Sequence, residues 1–502
     1  RTMPVARPTR QIPDAAWTTG IREMTEPWKG ALGCLGVAVF FTMTISIISW
    51  QALEQPPEEW VLRGQAGGML WERRRGALLL RVLPAGRTVL VITVGSVPAT
   101  EPPPPRDHCW HDGGQFCYAW EEDAELHLSL EPSPAPATEC YSVRWTPLRP
   151  DVTLKDCFSM ANVSWYGGAS IRAQRWPLNG AESHTQPFVS GDFSKNPAGY
   201  GPVLERYFLG STGVTVTVPP DVPLFLSVES ERHFCLETPA GRAAEPLRYS
   251  LCLSSDITAA HRHGCLVWSF TPCNGWHRAA GAWWFSHSYR TYFSTFPSPQ
   301  EDLAPERREK QDSARGWDPA LLEPLQLSIT LSSYTSIASP LFLRSLRDGD
   351  TASHWLSLQP RSGGCSVPLL TTWKGRLCVR LNVTSEAALS WYLARARHLQ
   401  QALGATYVVF EGAEGNAFLE QAVPPPAELL GDGYTEALAT ALVTLGNATI
   451  ISAGARSSHL PLFIQMSPLR SDWSHAGLKG LIPSVLHYSL LGYNFFIPDA
   501  VG

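Results

Sequence analysis

A short stretch of the chain is rich in side chains that bind metals or form disulfides. His261, His263 and Cys265 lie close together, and Cys273 and His277 follow within a few residues. Imidazole and thiolate groups are zinc ligands, but this spacing matches none of the common zinc patterns. In an oxidising compartment the same thiols would form disulfides, and Cys265 with Cys273 is a plausible pair. We therefore favour disulfides and predict no metal and no cofactor.

The other cysteines and the glycosylation acceptors point to the same compartment. Of the 11 cysteines, Cys34 lies in an apolar segment, and the remaining ten, an even number, all follow it. An even number suits a set of disulfides, although sequence does not fix their connectivity. Asn162, Asn382 and Asn447 each begin an Asn-X-Ser/Thr triplet, the acceptor of N-glycosylation. These features predict an extracytoplasmic glycoprotein.

The apolar segment at residues 30–50 predicts a membrane anchor. It carries no charge over 21 residues, which is enough for a helix to cross about 30 Å of hydrocarbon. Basic residues dominate before it, whereas Glu54, Glu58 and Glu59 come directly after it. The positive side lies in the cytoplasm, so residues 1–29 are predicted to be a cytoplasmic tail in a type II protein. A cleaved signal peptide is the alternative, but this apolar run is longer than the usual ~7–15 residues.

Composition bounds the number of domains and excludes one class of partner. A chain of 502 residues suggests two or three folded units at about 100–200 residues each. The 40 Lys and Arg residues nearly balance the 45 Asp and Glu residues, without a long block of one sign, so we expect no nucleic-acid partner. The sequence also lacks a phosphate-binding glycine loop, a nucleophile elbow and a helical histidine pair for zinc.

The pattern of predicted elements changes along the chain. Short strands separated by Pro and Gly fill most of residues 51–365. From about residue 366 helices alternate with strands, including an amphipathic helix at 385–403 and a buried strand at 406–410. Such alternation is typical of parallel β/α units, which we predict for residues 366–502.

Several motifs resemble family 31 glycoside hydrolases, in particular their membrane-anchored animal branch. Residues 156–158 (Asp-Cys-Phe), 165–168 (Trp-Tyr-Gly-Gly), 174–177 (Gln-Arg-Trp-Pro) and 204–213 resemble the N-terminal sandwich of that family. Residues 477–485 and 491–502 resemble a late barrel segment. The resemblance implies that residues 51–365 form a stalk and a β-sandwich, and that residues 366–502 belong to a (β/α)8 barrel with its active site at the carboxyl ends of the strands. By this comparison the barrel is incomplete, because about two β/α units are missing between 368–373, which matches the first barrel strand, and the helix at 385–403.

The resemblance also implies catalytic positions, and the chain departs from the family at both of them. Retaining members use two carboxylates, a nucleophile and an acid/base, about 5–5.5 Å apart. Glu411 stands where the family has the nucleophilic Asp, with one more methylene, and Val409 replaces a Lys. The acid/base segment matches residues 468–473, where only the neighbouring Asp472 is acidic. Ser452 replaces an Arg that helps to hold sugar hydroxyls, so catalysis is predicted to be impaired.

Three further residues are candidates for substrate binding, namely Trp165, Trp373 and Asp499. An indole face suits the C–H surface of a sugar, but both tryptophans could equally be packing residues. Asp499 keeps a Pro-Asp pair of the family and could instead be structural, just as Glu411 could be a salt-bridged carboxylate at a strand end.

Three functional hypotheses follow from these residues. We favour a type II membrane glycoprotein whose family 31-like ectodomain, in the secretory lumen or at the cell surface, binds a carbohydrate or an organic anion. The alternatives are an active retaining glycosidase and a structural or regulatory membrane protein.

Overall fold

The computed structural model describes residues 35–47, 59–72, 76–95, 114–120, 123–132, 138–238, 246–268, 328–347, 352–358, 367–418, 429 and 431–498. Residues 35–47 are helical and expose apolar side chains, including Phe40 and Met43. None of the described helices is long and apolar enough to cross a membrane. The predicted tail at 1–29 and both ends of the predicted anchor lie outside the described residues, so the anchor stays a prediction.

Residues from Trp60 onward form one compact unit, called the main unit below. Its first part is built from antiparallel strands. In chain order these are β1 Glu59–Arg63, β2 Gly67–Glu72, β3 Ala77–Val82, β4 Arg87–Val94, β5 Gln115–Trp120, β6 Ala124–Glu131, β7 Thr138–Pro147, β8 Leu154–Ser159, β9 Trp165–Ile171, β10 Ser183–Pro187, β11 Tyr200–Gly210, β12 Val214–Thr217, β13 Phe225–Glu229, β14 His233–Thr238 and β15 Leu247–Ser254. Helix α1 spans Ile257–Trp268.

These strands form two sheets that share one hydrophobic core. One sheet has the order β1-β2-β3-β4-β8-β14-β13-β10, and the other contains β11-β12-β15-β7-β6-β5 with β9 beside β11. The core between them includes a cluster of aromatic rings in which Phe158 and Phe208 both stack on Phe234. Alternate residues of strands such as β8 are buried, which is the pattern expected when one sheet face meets the core. The predicted β-sandwich is therefore present.

Two disulfides connect neighbouring strands within these sheets. Cys140 of β7 is bonded to Cys252 of β15, and Cys157 of β8 is bonded to Cys235 of β14. Each pair lies directly opposite in the strand register. The structure thus confirms that the chain contains disulfides. Cys378 is a free, buried thiol, so not every cysteine of the predicted set is paired.

The second part of the main unit combines a parallel sheet with helices. The strands are β16 Ser328–Ser332, β17 Tyr334–Ser336, β18 Ser357–Leu358, β19 Val367–Pro368, β20 Leu370–Trp373, β21 Arg376–Arg380, β22 Tyr407–Glu411, β23 Thr449–Ile451, β24 Gly454–Ala455, β25 Phe463–Gln465 and β26 Phe496–Ile497. The helices are α2 Pro340–Arg347, α3 Glu386–Leu403, α4 Gly433–Leu442 and α5 Leu481–Leu490. Strands β16, β22, β23, β25 and β26 pair in parallel, in that order.

The parallel sheet begins earlier than the sequence predicted. Its first strand, Ser328–Ser332, lies before residue 366, in the segment that we assigned to the sandwich. Residues 368–373, which we matched to the first barrel strand, contribute instead to antiparallel pairs, and Leu370–Trp373 forms a hairpin with Arg376–Arg380. Both predictions were wrong because a short apolar strand looks the same in either kind of sheet; only its partner distinguishes the two.

Local signals explain why α3 forms where it was predicted. The Ser385 hydroxyl accepts a hydrogen bond from the Ala388 amide, which satisfies one free N–H of the first turn. Gly404 ends the helix with φ +66°, a left-handed conformation that glycine adopts without strain. Helix α3 connects β21 to β22 and packs its buried face, including Leu393 and Leu399, on the parallel sheet.

Buried polar groups join the sandwich to the parallel sheet. Strand β24 pairs in parallel with β11, opposite Val203 and Leu204. Next to this pairing, the Glu205 carboxylate accepts hydrogen bonds from the Tyr493 hydroxyl (2.6 Å) and the Arg456 amide (2.9 Å). Burial, with a smaller contribution from the nearby carboxylate of Asp432, raises the pKa of Glu205 to about 8.

We expect this acid to make the fold less stable at alkaline pH. Between its ordinary pKa of 4.5 and its folded pKa of about 8, the unfolded chain has lost a proton that the folded chain keeps. The free energy of unfolding should therefore fall as the pH rises, by at most about 1.4 kcal/mol per pH unit from this group. In the Glu205→Gln variant the side chain keeps its shape but no longer titrates. Its unfolding free energy should therefore change less with pH between pH 6 and 8. Urea denaturation at several pH values measures both slopes, and equal slopes would contradict this assignment.

Candidate functional site

The carboxyl ends of three parallel strands meet at one edge of the sheet. Strand β16 ends at Ser332, β22 at Glu411 and β23 at Ile451. Hydrogen bonds connect the segments that follow the first two strands: the Ser333 hydroxyl donates to the Gly412 carbonyl at 2.8 Å. Parallel strands place the residues that follow them together, and this edge is where such folds bind ligands.

Gly412 lets the chain turn sharply after β22. Its φ of +81° is unfavourable for residues with a side chain, and an added Cβ would lie 2.6 Å from the Tyr334 ring. Glu411 and Glu414, on either side of the turn, are both half-buried, but they have different partners.

Glu411 is paired with a lysine from the β20–β21 hairpin. The Lys374 ammonium lies 2.5 Å from Oε2 of Glu411, and the two side chains are 63% and 25% exposed. Lys374 and Gly375 form the two-residue turn of the hairpin, both with positive φ (46° and 75°), which is typical of a type I′ turn. The hairpin therefore supplies a positive charge next to Glu411 in place of the lysine that Val409 replaces.

Aromatic rings and cations alternate beside this pair. The Lys374 ammonium lies 4.6 Å from the Trp373 ring centroid, and Trp373 stacks on Tyr334 at 5.3 Å. The Arg380 guanidinium lies 5.0 Å from the Tyr334 ring and 3.5 Å from the Tyr434 ring. Arg380 is 2% exposed. Cation–π attraction to the two tyrosine rings orients them and lowers the free-energy cost of burying its guanidinium.

Arg380 also holds the turn after β22. One of its terminal nitrogens donates to the carbonyls of Gly412 (2.9 Å) and Glu414 (3.1 Å). These charge-assisted bonds fix the backbone on which both Glu411 and Glu414 are mounted.

Glu414 is a half-buried carboxyl group that we did not predict from the sequence. Its Oε1 accepts a hydrogen bond from the Ser452 hydroxyl at 2.9 Å. Burial raises its pKa, and the nearby Asp192 carboxylate adds to the increase. Its place at the end of the segment that resembles the family's nucleophile motif was the signal that could have identified it.

A loop of the sandwich contributes a second lysine. Lys195 donates to the Thr372 carbonyl at 3.1 Å, and its ammonium lies 5.8 Å from the Tyr334 ring. Lys195 and Lys374 thus approach the Tyr334–Trp373 stack from two different parts of the fold. We did not anticipate either lysine, because nothing in their sequence surroundings indicates that they are neighbours.

The remaining predicted site residues have different outcomes. Trp373 lies at the site, half-buried against Tyr334. The Trp165 side chain is fully buried among the sandwich aromatics and donates to the Ser159 carbonyl, so the prediction that it contacts substrate was wrong. Asp499 lies outside the described residues.

Asp472, the predicted acid/base candidate, lies in an exposed loop. It is exposed, and one of its carboxylate oxygens accepts hydrogen bonds from the amide and hydroxyl of Ser474. These bonds lower its pKa, so the group remains ionised. Within the described residues, the hydrogen bonds of its carboxylate stay inside its own loop, and its role as the acid/base stays a prediction.

The three predicted glycosylation acceptors lie outside the core. Asn162 and Asn447 are exposed. Asn382 is half-buried and accepts hydrogen bonds from the amide and hydroxyl of Thr384.

The two cations of the site should differ in their effect on stability. Replacing Arg380 by Met removes buried hydrogen bonds and two ring contacts, so we expect a loss of at least about 2 kcal/mol of unfolding free energy. Replacing Lys374 by Met removes a largely exposed ion pair and should cost less than about 1 kcal/mol. Chemical denaturation followed by circular dichroism measures both. A larger loss for Lys374→Met would show that the hairpin pair is structural.

Comparisons with known proteins show which relatives share this sequence. No protein-family model matches the chain. The SITS-binding protein of Tetronarce californica is 41% identical over 518 residues, which is 97% of this chain and 74% of the relative. The myogenesis-regulating glycosidase of Mus musculus is 25% identical over 440 residues, which is 79% of this chain and 60% of that protein. The chain thus spans less than two thirds of the second relative.

A solved structure shares the fold. A family 31 sulfoquinovosidase from E. rectale, in complex with an aza-sugar inhibitor, superimposes with a TM-score of 0.52 at 8% identity, covering 89% of this chain and 70% of the enzyme. The resemblance predicted from the motifs is confirmed. With 41% identity to the SITS-binding protein over most of both chains, and with this fold, the chain belongs to the animal proteins that resemble family 31 glycoside hydrolases.

Proposed function

We propose that this chain is a glycosidase-like protein that binds a carbohydrate or an organic anion at the strand-end site and hydrolyses glycosides poorly or not at all. The observation that carries the proposal is the pairing of Glu411 with Lys374. The only carboxylate in the family's nucleophile position already has a cation on one of its oxygens.

The chemistry of retaining hydrolysis explains why this pairing matters. The nucleophile must reach the anomeric carbon, and a second carboxyl group must deliver a proton to the leaving oxygen. The Lys374 ammonium lies against one oxygen of Glu411, the residue in the nucleophile position, and partly neutralises its charge. Asp472, with its lowered pKa, would be ionised near neutral pH and could not donate a proton. A catalytic pair is therefore not supported by these two residues.

The same groups are suited to binding. The stacked rings of Trp373 and Tyr334 each have an ammonium group beside them, that of Lys374 at Trp373 and that of Lys195 at Tyr334. A sugar ring can pack on an indole, and a carboxylate, sulfonate or sulfate can accept from lysine. The SITS-binding protein, which is 41% identical, supports an anionic ligand, because SITS is a disulfonated stilbene.

Calorimetric titration of the ectodomain tests the proposal. We expect SITS and a sulfonated hexose to bind, and Lys374→Met to weaken both by about tenfold, which is about 1.4 kcal/mol. Lys155→Met is the matched control, because Lys155 lies on β8 and pairs with Glu237 of the sandwich; it should bind as the unaltered chain does. No heat with SITS, sulfonated hexoses or neutral sugars would reject the binding function.

An active glycosidase is the competing hypothesis, and the same samples address it. Aryl α-glucosides and α-galactosides report hydrolysis directly. We expect no turnover above background from a folded sample. Turnover that Glu411→Gln abolishes would replace our proposal with the enzyme.

We further propose that the ectodomain is tethered to a membrane by residues 30–50, with the N-terminus in the cytoplasm. The uncharged run and the basic residues before it support this topology. In a full-length chain expressed in animal cells, we expect carbonate-resistant membrane association, glycans removable by endoglycosidase, and a size decrease for Asn162→Gln. A chain that carbonate releases from membranes would argue against the anchor.

The topology test also bears on the third hypothesis, a structural or regulatory membrane protein. If the chain is anchored and glycosylated but binds none of the ligands above, that hypothesis becomes the better one.

A further inference from the structure

A histidine lies against one of the two cross-strand disulfides. Cys140 and Cys252 are bonded to each other, and a ligand atom of His263, from helix α1, lies within 4.8 Å of both sulfur atoms. All three residues are buried, with exposures of 4%, 7% and 5%. The group therefore combines three elements, β7, β15 and α1, at one enclosed point.

The imidazole of His263 is incompletely satisfied. Its Nε2 is buried and makes no hydrogen bond within the part of the chain that the structure describes. Leaving a buried polar atom without a partner typically costs about 1–3 kcal/mol, so such atoms often indicate a missing ligand. In the sequence, His263 stood out only together with residues 261, 265, 273 and 277. In the fold, Cys140 and Cys252 are its neighbours.

We propose that reduction of the Cys140–Cys252 disulfide converts this group into a Cys2His site for a thiophilic divalent cation such as Zn²⁺. A dithiol supplies the two electrons and two protons: the S–S bond breaks, each cysteine becomes a thiol, and the dithiol closes into its own disulfide. On binding the cation, the two thiols release their protons to solvent. Two thiolates and one neutral imidazole nitrogen then provide three ligands, and water provides the fourth.

The geometry is compatible with such a site. In tetrahedral zinc sites with Zn–S bonds of ~2.3 Å, the ligand atoms lie about 3.8 Å apart. A disulfide bond is about 2.05 Å long, so after reduction the two sulfurs must separate by about 1.8 Å. The His263 ligand atom lies within 4.8 Å of both sulfurs, so it must approach them by about 1 Å at most.

A similar group elsewhere in the sandwich is less suited to metal binding. Cys157, Cys235 and His233 also lie within 4.8 Å of one another. There, however, the His233 ring is partly exposed and its Nε2 lies 3.5 Å from a Glu229 oxygen. Cys157, Cys235 and His233 therefore serve as a comparison group in the other sheet of the sandwich.

The experiment uses the whole ectodomain in a Cys157→Ser/Cys235→Ser background, which removes the control pair. After treatment with a dithiol and its removal under argon, the sample is titrated with Co²⁺ and then with Zn²⁺. We expect thiolate-to-cobalt absorption in the near ultraviolet, tetrahedral d–d bands, and displacement of Co²⁺ by one equivalent of Zn²⁺. The oxidised protein should show none of these signals.

Two variants show whether His263 is a ligand. His263→Gln should weaken Zn²⁺ binding at least tenfold and change the d–d bands, whereas His233→Gln should change neither. X-ray absorption at the zinc edge should give two sulfur and two nitrogen or oxygen neighbours. Unchanged affinity in His263→Gln, with circular dichroism confirming that it is folded, would overturn the proposal, as would equal binding by a Cys140→Ser/Cys252→Ser variant.

Discussion

The rest of the structure depends on a buried polar contact around Ser190, which joins the sandwich to the part of the fold that contains the parallel sheet. The Ser190 hydroxyl donates to the Asp432 carboxylate and accepts from the Gly415 amide, and the Ser190 carbonyl accepts from Asn416. Charged and polar groups enclosed in this way are tolerated only when each has a partner, so the two parts must meet in one register. Because Gly415 directly follows Glu414, the same contact fixes the position of the candidate site relative to the sandwich.

The site itself follows from a second requirement, the burial of a guanidinium. Arg380 is surrounded by Tyr334 and Tyr434 and donates to backbone carbonyls of the turn after β22. This arrangement fixes the turn that carries Glu411 and Glu414, which are both half-buried. One carboxylate is then available to the exposed Lys374, while the other keeps a raised pKa. The contrast between the two arises from position alone, since the residues are chemically identical.

Much of the fold could be predicted from local pattern, whereas the site could not. The helix beginning at Glu386 was predictable because Ser385 and Gly404 are local capping signals, and the buried strand ending at Glu411 because its apolar run is short and continuous. The parallel partner of Ser328–Ser332 depends on residues far along the chain, so its sheet was assigned wrongly. Lys195 lies far along the chain from the hairpin that carries Lys374 and Arg380, and no spacing in the sequence indicates that they meet. Trp165 was mistaken for a binding residue because an indole in a motif looks the same whether it faces a ligand or a core.

The pairing of β24 with β11 has a consequence for the order in which the protein is made. Residues 203 and 204 leave the ribosome some 250 positions before Gly454 and Ala455, their partners. Domains generally fold as units during synthesis, the N-terminal one first. The finished sandwich would then present an unpaired stretch of β11 to the later part of the nascent chain, acting as a template on which the strand-end loops assemble. Until Gly454 and Ala455 are synthesised, this stretch of β11 is an exposed strand edge to which other strands could bind. A pause in translation between the two segments would therefore favour misassembly.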